Sequence, residues 1–343
     1  MKDIIKIAIL LVAKYTGLFH LAKSHYRNRI RILCYHGFSL RDEEEFVPGL
    51  FIKPDIFETR MKYLKDNGYN VISLDEAYEA TKSNNIDDNS VVITIDDGFY
   101  STFAAGLPIL QKYNFPSTLY LASFYFNKPF PIFTLTLNYL FWRNKKQVVD
   151  FSSLNIGELS QFTSVEAGTK KFEEAQEIVK SVGRSYESEE ERFDLLNKLG
   201  GALDQNFNDI AESRILTMLN EAELKQCIEA DMDIEIHTHG HNFPTDPEKA
   251  RYEITRNREL IDPLLPRPMS HFCYPGGDWS ELHWPVLDEQ KIKTSTTCEN
   301  GLITPDTPVH AWSRYLDSAR ISQLEYEAEL SGFNEVLRSL RGK

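Results

Sequence analysis

The chain has 343 residues, 42% hydrophobic and 26% charged, with 38 Lys and Arg against 51 Asp and Glu for a formal net charge of −13. This ordinary globular composition excludes disordered and fibrous classes and is enough for one large or two smaller domains, each with a core. The missing basic surplus excludes nonspecific nucleic-acid binding, and four cysteines without paired spacing (Cys34, Cys227, Cys273, Cys298) exclude a disulfide scaffold and a zinc knuckle.

Residues 1–27 carry an apolar run, Ile4, Ile5 and Ile7 through Ala13, bracketed by Lys6 and Lys14. It falls short of the ~20 apolar residues of a spanning helix, and no small-x-small cleavage site of a signal peptide follows. The expectation is a helical segment packed on the domain or lying at a membrane interface, with Lys2, Lys6, Lys14 and Lys23 meeting lipid headgroups. Location is then cytoplasmic or peripheral to a membrane.

Onward, an apolar run predicts a buried strand over 30–35. Phe57, Met61 and Leu64 have helical spacing, stopped by Asn67-Gly68. Strands are expected over 69–74, 91–95 and 117–122, with helices over 75–82 and 102–113. From about 124 to 213 no strand is expected, only helical patterns (172–182, 189–199) and acidic clusters such as 187–191. Asn220 with Glu223 starts a further helix in capping-box fashion. Strands follow over 234–236, 270–274 and 293–297, with a helix over 248–261. Alternating β and α segments predict an α/β fold, a parallel sheet with helices outside, either barrel or open. The domain plan is an N-terminal segment, 1–27, then one catalytic domain, 28–343, with a helical insertion at about 124–213.

Four of these strands end in polar residues. The first ends in His36, the third in Asp96-Asp97-Gly98, the 234–236 strand in His237-Thr238-His239-Gly240-His241, and the 270–274 strand in Pro275-Gly276-Gly277-Asp278-Trp279. In parallel α/β folds the carboxyl ends of the strands share one face, where ligands bind, so these clusters converge. Two adjacent carboxylates at the end of a buried strand repel unless a cation or proton compensates. A metal can take one as ligand and leave the other to accept a proton from water. His237 and His241, four apart in a loop, fit the remaining ligands; two His and one Asp leave positions open for water and substrate. His239 is a bystander or an orienting group.

Thr94-Ile95-Asp96-Asp97-Gly98 resembles the TFDDG motif of the polysaccharide deacetylase family (NodB homology, carbohydrate esterase family four), and His237 to His241 resembles its H-[ST]-x-x-H motif. The resemblance covers roughly 31–124 and 215–315. It implies a distorted (β/α) barrel and metal-dependent hydrolysis of N-acetyl groups on sugars, with Asp96 as general base and Asp97, His237 and His241 as metal ligands. The ion implied is zinc, with cobalt, nickel or iron as alternatives. Ile32 through Phe38 is similar to the first-strand element of the circularly permuted poly-N-acetylglucosamine deacetylases, which makes His36 the acid for the leaving amine. There are departures. Ile95 replaces the usual Phe, Glu235 stands where Gly is common, and Cys273 stands where many members carry an Arg that steadies the base. Gly276 falls on the aromatic position whose N–H faces the oxyanion. Tyr274, Trp279 and Arg314 join Gly276 as substrate or oxyanion candidates; Trp279 can supply the lost aromatic wall, and Arg314 the lost guanidinium. The partner implied is an N-acetylated sugar, glycan or precursor. Alternatives are an O-acetyl carbohydrate esterase and a non-catalytic carbohydrate-binding relative. A retaining glycosidase fits poorly, because adjacent carboxylates need not straddle a sugar ring.

Overall fold

A computed structural model describes residues 2–340; the side chain of Lys2, and the headgroup contact expected of it, lie outside the described residues. The chain forms two compact units, residues 1–126 with 221–343, and residues 127–220.

The first unit holds the main sheet. Its strands are β1 (Arg31–Tyr35), β2 (Asn70–Val71), β3 (Ser90–Asp97), β4 (Ser117–Leu121), β5 (Met232–Ile236), β6 (His271–Cys273), β7 (Thr294–Thr296) and β8 (Tyr315–Leu316). They are ordered β7-β6-β5-β4-β3-β1-β8, with β2 also on β3, and every pairing is parallel. A parallel bridge from Thr296 to Trp312 ties β7 to the segment entering β8. The sheet is a curled parallel half-barrel, the distorted barrel expected from the sequence. Its central strands are β-branched and buried throughout, Val91 to Ile95 above all, as strands covered on both faces must be.

Around it lie α1 (Lys2–Tyr15), α2 (Leu18–His25), α3 (Pro54–Asp66), α4 (Leu74–Lys82), α5 (Leu107–Tyr113), α6 (Glu221–Glu229), α7 (Pro247–Ile261), α8 (Trp284–Glu289), α9 (Gln323–Leu330) and α10 (Phe333–Leu340). Ile30, Ile32, Val92, Tyr120, Cys273 and Trp312 share one core cluster with Leu74 and Ala77 of α4.

Several elements differ from expectation. The strand over 69–74 shrinks to β2 because Ser73 is claimed by α4: its hydroxyl accepts from Glu76 N, and its own N–H donates to the Glu76 carboxylate. The helix over 102–113 opens with a π-helical turn, Thr102–Gly106, before α5. Gly106 there faces Phe38 so closely that a Cβ would stand 2.4 Å from its ring. A last short strand, β8, for which no element was expected, begins just after Arg314.

The second unit is helical, with Phe133–Trp142, Lys170–Ser185, Glu189–Ala202 and Phe207–Ser213. It also holds a small antiparallel pair, Val148–Val149 with Val165–Glu166, where no strand was expected. Phe141, Phe151 and Phe172 pack mutually, with ring centroids 5.1–5.7 Å apart. The alternation of two-residue strands is too brief to leave a period in the sequence.

Candidate active site and metal centre

Asp96 and Asp97 are the last residues of β3, and the alternation of a strand sends adjacent side chains to opposite sides. Asp97 holds a left-handed backbone, φ +71°, uncommon for a residue with a Cβ. Its Oδ1 lies 3.3 Å from His237 Nε2 and 3.2 Å from His241 Nε2. That oxygen is buried and makes no well-directed hydrogen bond. One carboxylate oxygen and two imidazole nitrogens thus gather within 4.8 Å of one another without satisfying each other. This donor set fits a divalent ion of the zinc type. Burial alone would raise the Asp97 pKa, but the two imidazoles outweigh it and hold the carboxyl well below its usual range.

His237 Nδ1 donates to the Cys273 carbonyl at 3.0 Å, which leaves the Nε2 lone pair for the Asp97 side. The loop after β5 is strained: Thr238 at φ +67° and His241 at φ +52° both sit in the left-handed region. Helix α7 holds it there. Fully buried Asn257 donates from Nδ2 to Thr238 O at 2.7 Å and Leu121 O at 2.9 Å. One turn earlier, Glu253 accepts from Gly240 N at 2.6 Å through Oε2 and from His239 N at 3.0 Å through its carbonyl. Positions four apart share a helix face, so one face of α7 clamps the whole loop. A Cβ on Gly240 would come within 3.1 Å of Glu253 Oε1. His239 faces Ser123, Nδ1 to Oγ 3.0 Å.

Asp96 is buried and gripped from below by Arg314. Nη1 donates to Oδ1 at 2.7 Å and Nη2 to Oδ2 at 2.8 Å, a two-point fork. Arg314 is itself fully buried, with Nε on Thr297 O at 2.9 Å and Nη1 on Thr94 Oγ1 at 3.2 Å. Arg314 thus stands where the lost guanidinium was expected, against the Asp96 carboxylate, and not among the substrate contacts with which it was also grouped. Cys273 lies beside both, donating to Asp96 Oδ2 at 3.4 Å and standing 3.0 Å from Arg314 Nη2. Cys34 adds a second thiol, 3.6 Å from Oδ2. Burial would raise the Asp96 pKa, and the Arg314 charge and hydrogen bonds drive it well below the usual carboxylate range instead. His36, just past β1, places Nε2 3.8 Å from the same Oδ2. Two further trios, Cys34-His36-Asp96 and Asp96-His237-Cys273, lie close enough to share an ion. Both need Asp96, whose oxygens are already in the guanidinium fork.

The turn after β6 holds Gly276 at φ +64° and Gly277 at φ +76°. A Cβ on Gly277 would stand 2.6 Å from that of Cys298, so only glycine fits. Tyr274 is fully buried and donates its hydroxyl to His310 O at 3.0 Å, so it packs behind the turn and is no substrate contact. Trp279 is half-buried, with Nε1 donating to Glu299 Oε1 at 3.1 Å and its ring 6.4 Å from that of Trp284, nearly parallel. His36, Asp96, Asp97, His237 and His241 are brought together. The Asn257 and Glu253 clamp and the Cys34 thiol escaped sequence reasoning.

Residues 199–295 match the family model described as polysaccharide deacetylase. That segment contains His237 and His241; Asp96 and Asp97 lie outside it, and the fold carries them to the histidines. YxkH of Bacillus subtilis (strain 168), whose description bears the same family name, is 31% identical over 94 residues, 27% of this chain. The chain spans about a third (32%) of that relative's length. Among solved structures, the Streptococcus pyogenes deacetylase PplD in complex with acetate aligns with TM-score 0.56 at 16% identity, covering 89% of this chain and 99% of that one. IcaB from Ammonifex degensii aligns with TM-score 0.55 at 14% identity, covering 89% and 97%. The de-N-acetylase from Aggregatibacter actinomycetemcomitans gives 0.54 at 13%, covering 88% and 99%. At these identities the likeness to solved structures is one of fold.

Proposed function

We propose that this chain, whose residues 199–295 match the polysaccharide deacetylase family model, is a metal-dependent hydrolase that removes N-acetyl groups from a sugar or glycan. The observation that carries the reading is the placing of two adjacent carboxylates in opposite roles, one facing two imidazoles, the other locked in a guanidinium fork beside a third imidazole.

Asp97, His237 and His241 would hold the ion, zinc in our reading with cobalt, nickel or iron(II) as fitting substitutes, and the bound ion would supply a water of lowered pKa and a polarised acetamide carbonyl. Asp96 Oδ2, kept ionised by Arg314, takes the proton of the attacking water. The N–H of Gly276 is assigned to the developing oxyanion, a donor worth roughly 3 kcal/mol elsewhere. His36 Nε2 gives its proton to the departing nitrogen, because an amide nitrogen leaves badly without one. A C–O bond forms, the C–N bond breaks, and acetate and a free amino sugar result. Trp279 offers a half-exposed ring against the sugar.

The test is acetate release from N-acetylglucosamine oligomers and from O-acetylated sugars. His36→Ala lowers amide turnover roughly 10²-fold and ester turnover far less, since an alkoxide leaves more readily. Equal losses on both substrates remove the acid role, and an enzyme active on esters alone is the O-acetyl esterase. Sugar binding without acetate release at any metal loading leaves a carbohydrate-binding relative.

Arg314 gives a pH prediction. With the guanidinium present the carboxyl is depressed, so Asp96 stays ionised far into acid. Arg314→Gln removes the largest downward cause and leaves burial, which pushes the pKa up, opposed only by the His237 and His36 imidazoles. The acid limb of kcat/KM then moves to higher pH, and Arg314→Lys restores part of the shift. An unmoved limb in Arg314→Gln means that Asp96 does not titrate in the reaction.

A further inference from the structure

The N-terminal helices expose a run of large apolar side chains. On α1, Leu10 and Ala13 are buried against Phe19, Ala22, Ala328 and Phe333. Lys6 and Lys14, with side chains 54% and 43% exposed, pair with Glu325 and Glu327 of α9. The opposite face exposes Ile4, Ile5, Ile9, Val12 (62% exposed) and Tyr15 (84%), and Leu21 of α2 extends it (63%). Eight of the fifteen exposed large apolar side chains among the described residues fall between positions 4 and 21. A helix bordering water normally does the reverse, with its polar stripe outside. Contiguous exposed apolar surface of this kind marks an interaction site.

The elbow adds a receptacle. Gly17, at φ +82°, breaks the two helices apart at 77°. In the angle lies a cleft of about 320 Å³ lined by Ala8, Ile9, Val12, Ala13, Leu18 and Phe333, with no polar residue.

Charge selects the occupant. From Ile4 to Arg41 the chain has seven Lys or Arg and no Asp or Glu, in a protein of net charge −13. Beyond Lys6 and Lys14, this includes Arg27, 58% exposed and 3.6 Å from the equally exposed Asp88, and Arg29 just past α2. A second copy would bring an acidic body to an acidic body. An anionic lipid leaflet meets both the basic segment and the apolar ridge. No single described helix is long and apolar enough to cross a membrane.

We propose that the α1–α2 elbow is an interfacial anchor that seats the protein on a bilayer containing anionic phospholipid, with the apolar ridge in the headgroup–acyl boundary and the cleft open to part of an acyl chain. The test is flotation of the full chain with vesicles of phosphatidylcholine mixed with phosphatidylglycerol, and of phosphatidylcholine alone. The wild type floats with the mixed vesicles, more weakly with phosphatidylcholine, and more weakly again at high salt. Ile9→Glu with Val12→Glu reduces partitioning at least roughly tenfold, as does Tyr15→Glu with Leu21→Glu at the far end of the ridge. Acetate release from a soluble oligomer is unchanged in both, which separates this anchor from the catalytic reading. The proposal is overturned if the wild type floats with neither vesicle, or if both variants float as it does. It is also overturned if light scattering finds a wild-type dimer that the variants abolish, since the ridge then covers a second copy.

Discussion

Asp97→Asn yields a folded protein that retains little divalent ion and releases no measurable acetate. The side chain keeps its shape but loses its charge, and charge is what balances a dication between two neutral imidazoles. In the native chain Asp97 Oδ1 is buried without a well-directed hydrogen bond. An orphaned carboxylate oxygen is costly unless a cation answers it. The amide oxygen that replaces it is a much weaker donor, while His237 stays fixed by Cys273 O. Metal-free wild type and Asp97→Asn should therefore melt within a few degrees of each other, while added zinc raises the melting temperature of the wild type alone, by mass action. Elemental analysis and melting together check this. A variant that keeps about one ion per chain removes Asp97 from the ligand set.

How much of this was visible before the fold depends on the kind of signal. Val91 to Ile95 followed by Asp96-Asp97-Gly98 reads as a buried strand with chemistry at its end, because a long apolar run and a paired charge are both local. So do the β5 histidines. Alternation of strand and helix gives a parallel sheet with helices outside, the family resemblance alone chose a distorted barrel, and β2 was overdrawn only because Ser73 serves a helix cap better than a strand. Partnership across the chain is different. Arg314 lies 218 positions from Asp96, and nothing near either residue says that they meet; only a known resemblance to a family with an arginine there suggested one. Asn257 was legible as one polar residue on a helix and illegible as the clamp on Thr238, since its partners are backbone carbonyls that any sequence supplies. The glutamate partners of Lys6 and Lys14 were hidden for a related reason. Position on a helical wheel tells which residues share a face, and only α9, with Glu325 and Glu327, decides which face turns inward.

Asp96→Asn is the complementary case: turnover falls by roughly 10³-fold, the scale of a lost general base, while the ion content stays at the wild-type level. The ion is expected to stay with Asp97 because Arg314 already forks both Asp96 oxygens. Its remaining neighbours on Oδ2 are the His36 imidazole and the two thiols. A carboxylate so strongly ionised is a modest base. In the proposed reaction its use would lie in being fixed, kept ionised far into acid, and 3.8 Å from the imidazole assigned to carry the proton onward. The carboxamide also puts an N–H₂ against the guanidinium, leaving Arg314 buried without its counter-charge. Such a break costs about 3–5 kcal/mol. The variant is therefore clearly less heat-stable than Asp97→Asn, although it alone keeps the ion. Turnover falls in both variants, while ion content and melting temperature separate the two adjacent aspartates in opposite directions. Asp96→Asn retaining more than a tenth of the wild-type rate would mean that the proton goes elsewhere, and the base would have to be sought outside the Arg314 fork.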